Sequence, residues 1–208
     1  MSARMPVRAL VASLGAVIMT GVLHAQGHAY EFPGSLSAET RITLTRIADS
    51  ARAAGLPAEA IVAKAAEGAL KGADDARIIR AARTLFGELT EARAALPPNT
   101  GVTALTAAAS ALHAGVPRVT LAQIAGAGAT NESELAVGLV AAADLVANGV
   151  PPSRAGGAIV ELLRRHAPES DITALRTAVA GDVARGTVPD SALGLRMQRL
   201  LKTLRPPK

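Results

Sequence analysis

Residues 147–151 read Ala-Asn-Gly-Val-Pro, and the reading of this stretch decides the fold. Near copies end at Pro57 (AAGLP) and Pro117 (HAGVP), and a fourth, Gly186-Thr187-Val188-Pro189, carries one inserted residue. A glycine after the last apolar helical residue takes φ > 0 without a Cβ clash, which suits the position just past a helix end. The apolar residue behind it packs back on the helix just finished. The proline suits the first turn of the next helix, where its missing N–H loses no hydrogen bond. Gly55 with Pro57, Gly115 with Pro117, Gly149 with Pro151 and Gly186 with Pro189 are therefore structural turns, each ending one helix and starting another.

The segments between and around these turns carry a helical apolar period and no convincing strand. Helices are expected over about 38–54, 57–71, 74–96, 102–114, 117–125, 131–148, 152–165, 171–185 and 189–204. The third is the clearest: Ile78, Ala82, Leu85, Leu89, Ala92 and Leu96 follow one face, Asp74 or Asp75 caps the start, and Pro97-Pro98 stops the end. Asn131-Glu132-Ser133-Glu134 reads as a capping box. The turn glycines at 55, 115, 149 and 186 stand 60, 34 and 37 residues apart. The two later intervals match two-helix repeats, and the first fits a unit enlarged by the long third helix. The fold class is all-α, about nine helices joined by tight Gly-apolar-Pro turns, as an irregular α-solenoid-like array or a compact multi-helix bundle.

Composition sets how such a fold is held together. The aromatics are Tyr30, Phe32 and Phe86, and there is no cysteine. The core of this alanine-rich chain is built from Leu, Ile, Val and Ala, so stability comes from many small contacts and from no disulfide. Arg4 and Arg8 precede an apolar run from Ala9 to Leu23, followed by the small and polar stretch HAQGHA. That is the layout of a signal peptide over residues 1–27, with cleavage after Gly27 or Ala29, and it implies a periplasmic or secreted protein. Residues 28–37 read as an extended linker, 38–204 as a single helical domain, and 205–208 as a disordered tail. The net charge of +5 includes Arg4 and Arg8, and the small remainder argues against nucleic acid as a partner.

The chemistry-bearing residues resolve into few patterns. Ser110 and His113 stand three apart on one helix, but a Ser-His nucleophile also needs an orienting acid and an oxyanion hole, and no GxSxG elbow occurs. His113 and His166 read as imidazoles at helix C-termini. Glu88 and Glu91 read as a solvated face. There is no HExxH, CxxC or DxDxDG pattern, so no metal and no cofactor is implied. Gly126-Ala127-Gly128-Ala129-Thr130 lacks the strand and the GK[ST] ending of a phosphate loop and reads as a connector.

Two basic features remain as candidate interaction surfaces. Arg77, Arg80 and Arg83 recur every three residues on the third helix, within reach of Glu59 or Glu67 on the second. Arg196, Arg199, Lys202 and Arg205 line a terminal amphipathic helix whose other side is leucine-rich. The expected function is that of an exported, non-enzymatic helical protein, a scaffold or interaction module for an unidentified protein partner. The alternatives are an envelope protein held on anionic membrane or wall polymer by its basic terminal helix, and a hydrolase using acids and His113.

Overall fold

The computed structural model describes residues 30–204; the signal-peptide region and Arg205 lie outside the described residues. Nine helices and no strand occupy this span: α1 Ala38–Ala53, α2 Ala58–Leu70, α3 Asp75–Ala95, α4 Val102–His113, α5 Arg118–Ala125, α6 Glu132–Ala147, α7 Pro152–Arg164, α8 Glu169–Ala184 and α9 Pro189–Thr203. Ahead of α1, residues 30–37 form no helix but lie against it, with Leu36 buried and Tyr30 and Phe32 half-buried on the core. The Arg52 guanidinium sits 4.7 Å above the Tyr30 ring.

The four turn glycines have φ of +67, +95, +87 and +91° at 55, 115, 149 and 186. Each ends its helix with the same pair of bonds. At the third, Gly149 N–H donates to Val146 O (2.9 Å) and Val150 N–H donates to Leu145 O (3.0 Å), the double closure of a Schellman ending. Leu56, Val116 and Val150 are buried where they fold back. In the fourth copy the inserted Thr187 takes that place, and Val188 is displaced outward to 65% exposure. The prolines differ from expectation in one respect. Pro57, Pro117 and Pro151 occupy the N-cap, with Pro189 alone of the four in the first turn. These N-caps have φ of −68, −65 and −55° with extended ψ and contribute only their carbonyl to the helix, which proline supplies.

Two further corners of the same kind lack the Gly-apolar-Pro signature. Gly72 (φ +69°) ends α2, and His166 (φ +51°) ends α7 as a left-handed residue that is not glycine. Ala73 N–H donates to Gly68 O and Ala167 N–H to Leu162 O, both at 3.0 Å. His166 is thus the turn residue itself.

Every substantial helix contact joins neighbours or next-but-one neighbours in the chain, the quasi-one-dimensional pattern of a helical array. The odd helices α1, α3, α5, α7 and α9 form one row, and α4, α6 and α8 form a second row against it. Small side chains let the rows close. Ala104, Ala108, Ala111, Ala141 and Ala142 are fully buried, and a Cβ on Gly156 of α7 would lie 2.1 Å from Thr120 Cγ2 of α5. Ion pairs tie the later helices: Asp144 with Arg176, and Arg154 with Asp190 at 2.8 Å.

The capping box is shifted by one residue. Asn131 Oδ1 accepts from Glu134 N–H (2.9 Å) as expected, but the Glu134 carboxylate reaches back to the Thr130 N–H (2.7 Å) and hydroxyl (2.8 Å). Glu132 works elsewhere: its carboxylate accepts from Thr103 N–H (2.9 Å) and Ala104 N–H (3.2 Å), capping α4, whose own N-cap Gly101 has no side chain to do so.

Candidate binding cleft on α2, α3 and α4

The second row has a gap. While α4 packs on α6 and α6 on α8, α2 and α4 both lean on α3 without packing on each other. An open cleft of about 510 Å³ fills the space between them. Its apolar floor is Ala60 and Ala63 of α2 with Ala81 and Leu85 of α3, and Thr84, Thr106 and Ser110 add hydroxyls. Lys64, Glu67, Arg77, Arg80 and Glu88 supply its charge, and His113 adds an imidazole.

The expected neutralisation of the arginines by the second helix does not occur. Glu67 accepts instead from Lys71 and from Lys64 (3.0 Å), and these two ammonium groups, Lys71 foremost, hold its carboxyl down at about 2. Glu59 is not bonded to any of the three arginines. Arg77 pairs with its own cap, Asp74, at 3.2 Å, with both side chains largely in water, where such a pair contributes little. The guanidinium of Arg80 has no hydrogen-bond or ion-pair partner among the described residues.

The stripe also divides. Three residues along a helix advance about 4.5 Å and turn about 60° back around the axis. Arg77 and Arg80 accordingly face the cleft, whereas Arg83 faces the other side of α3. There it shares a cleft of about 280 Å³ with Arg46, Thr43, Ile47 and Ser50 of α1 and with Phe86. No carboxylate lines this second cleft, and neither guanidinium in it has a partner among the described residues.

Glu88 is not a solvated acid. Its side chain is 17% exposed and lies 2.8 Å from His113 Nδ1, within hydrogen-bond reach of that ring nitrogen. This brings Glu88, His113 and Ser110 to one wall of the cleft, yet the set is incomplete as a nucleophilic site. The Ser110 hydroxyl donates to Thr106 O (3.1 Å) in its own helix. The lining residues in helix first turns, Ala60 and Arg77, already donate their N–H groups to Pro57 O and to Asp74. An oxyanion needs donors that are free.

The terminal basic helix is committed more deeply than its sequence implied. Arg196 grips Asp182 with two bonds (2.6 and 2.7 Å), and Arg185 adds a third (2.6 Å). These bonds, the one from Arg196 foremost, hold the Asp182 carboxyl at about 2. Leu193 is buried, and Met197, Leu200, Leu201 and Leu204 are half-buried on the core. Arg199 and Lys202 remain exposed. Among the described residues no group of three His, Asp or Glu side chains is placed to hold a metal, and no helix is long and apolar enough to cross a membrane.

Arg46, Lys64, Thr84 and Phe86 are site residues that sequence reasoning missed. Their only signal was spacing along amphipathic helices whose partners were unknown. Comparison with protein families, characterised proteins and solved structures finds no match to this chain. The fold and the cleft define its class: an all-helical array with an open, partly cationic groove between α2, α3 and α4.

Proposed function

We propose that this is an exported, non-enzymatic module that holds another protein in the cleft between α2, α3 and α4. The observation that carries this reading is Arg80, a guanidinium with no counter-ion among the described residues, in a cleft with an apolar floor. Apolar surface rimmed by unsatisfied charge is what a partner covers. The signal-like N-terminus supports a periplasmic or secreted setting. The anionic-membrane reading ranks second, because α9 has half-buried leucines and offers mainly Arg199 and Lys202.

The chain has no cysteine, so a single photo-crosslinker can be placed through Thr84→Cys in the cleft and through Thr177→Cys on exposed α8 as a control. Exposed to cell-envelope extract, the Thr84 probe should yield discrete protein adducts that unlabelled mature protein competes away. Absence of adducts, or the same adducts from both probes, would refute the reading.

A further inference from the structure

We infer that the partner presents an acidic peptide segment with interspersed apolar side chains, and that this segment crosses α3 from the α2–α4 cleft to the α1 cleft. The inference rests on the cleft reading above and names the chemistry that the cleft selects. Arg80 on one side of α3, and Arg83 with Arg46 on the other, make three guanidinium groups without an anion among the described residues. Arg46 and Arg83 share a cleft lined by no acid among the described residues, so a carboxylate between them relieves a repulsion that no described residue relieves. Arginine's planar fork matches a carboxylate with two parallel bonds.

Spacing fits a peptide. Arg80 and Arg83 are about 4.5 Å apart along the helix axis, and same-side residues of an extended chain are about 7 Å apart, a difference that arginine side chains span. Apolar surface flanks the cations in both clefts: Ala81 and Leu85 beside Arg80, Ile47 and Phe86 beside Arg83. Alternate carboxylates and apolar side chains would meet guanidinium groups and apolar floor in turn. A continuous polyanion fits less well, because the Glu88 carboxylate stands in the larger cleft and repels unbroken negative charge. The same carboxylate disfavours an anionic lipid face.

A random-peptide display library selected on the mature protein tests this. The enriched peptides should carry at least two acids with apolar residues between them. Their affinity should fall about tenfold or more in Arg80→Glu and in Arg46→Glu/Arg83→Glu, and stay unchanged in Arg199→Glu. Arg80→Gln and Arg83→Gln, with circular dichroism and melting temperature as folding controls, should show smaller losses in the same order. Neutral or basic selected peptides, or equal losses in Arg199→Glu, would overturn the inference. So would heparin or phosphatidylglycerol vesicles binding more tightly and losing affinity in the same variants. If the Thr84 probe captures a partner while the library yields neutral peptides, the cleft stands and the acidic chemistry falls. If the probe captures nothing, both fall.

Discussion

The corner at Gly149 provides a quantitative test of the turn logic. Its φ of +87° is strained for any residue with a Cβ, and a Cβ built there would stand 3.2 Å from Cγ of Pro189. Left-handed backbone costs a non-glycine residue about 1–2 kcal/mol, partly offset by about 0.4–1 kcal/mol from the stiffer unfolded chain. Gly149→Ala should therefore lose about 1 kcal/mol. Gly149→Val, branched at the atom that meets the proline ring, should lose about 2–3 kcal/mol. For a domain of this size the valine loss corresponds to a melting temperature lower by about 4–12 °C. Gly186 separates the two causes, since its φ of +91° is similar but no atom lies within 4 Å of its Cβ position. Gly186→Ala should thus show the strain alone, and Pro189→Ala should recover part of the Gly149→Val loss. Gly157, inside α7 with open space at its Cβ position, should gain about 0.5–1 kcal/mol when changed to alanine. Calorimetry on the set decides the matter: an unchanged melting temperature in Gly149→Val, or a Gly186→Ala loss as large as that of Gly149→Val, refutes the reasoning.

Three other perturbations probe the frame around the cleft. Gly156→Ala drives a methyl into Thr120 Cγ2, 2.1 Å away, and should cost about 1–3 kcal/mol; Thr120→Ser removes that methyl, so the double variant in thermal melts should lose less than the sum of the singles. Glu132→Ala takes the cap from α4 and should cost about 1 kcal/mol, read as faster amide exchange at Thr103 and Ala104. The Asp182 carboxyl is held at about 2 against an ordinary 3.8, so its contribution is complete above about pH 4 and is lost as pH falls towards 2. Melting temperature against pH should accordingly drop less steeply over that interval in Asp182→Asn than in the wild type, and parallel curves would mean the Arg185–Asp182–Arg196 cluster does not stabilise the fold.

Local backbone chemistry is legible in sequence, and relations between helices are not. The four Gly-apolar-Pro corners could be read because a positive φ favours glycine and a helix start tolerates proline, although three of the prolines stand at the N-cap and not in the first turn. The corner at His166 could not, because a histidine at φ +51° is chosen by the corner's two hydrogen bonds and by buried Ala167, against its own preference. The arginines of α3 were visible as residue types, but their partners depended on packing. Glu67 turned to Lys64 on its own helix and to Lys71 at that helix's C-cap, while Glu88 found His113 from 25 residues away across the α3–α4 interface. The three-residue spacing also misled: read as a single stripe, it turns far enough around α3 to serve two clefts.

The position of the cleft follows from where the repeat fails. The 34- and 37-residue intervals each hold two helices, α5 with α6 and α7 with α8, and in that region successive even helices pack on one another. The 60-residue interval holds three, α2, α3 and α4, with the 21-residue α3 between the other two. At about 1.5 Å per residue α3 is some 30 Å long, whereas α2 and α4 have only 13 and 12 residues. Two short helices laid against one long helix cover it incompletely unless they also meet, and here they do not. The uncovered part of α3 bears Arg77, Arg80 and Leu85. An array built only of the later repeats would bury that surface, so the odd interval creates the groove. Functional residues in a helical array of this kind are therefore better sought where the spacing of its corners breaks than in the corners themselves.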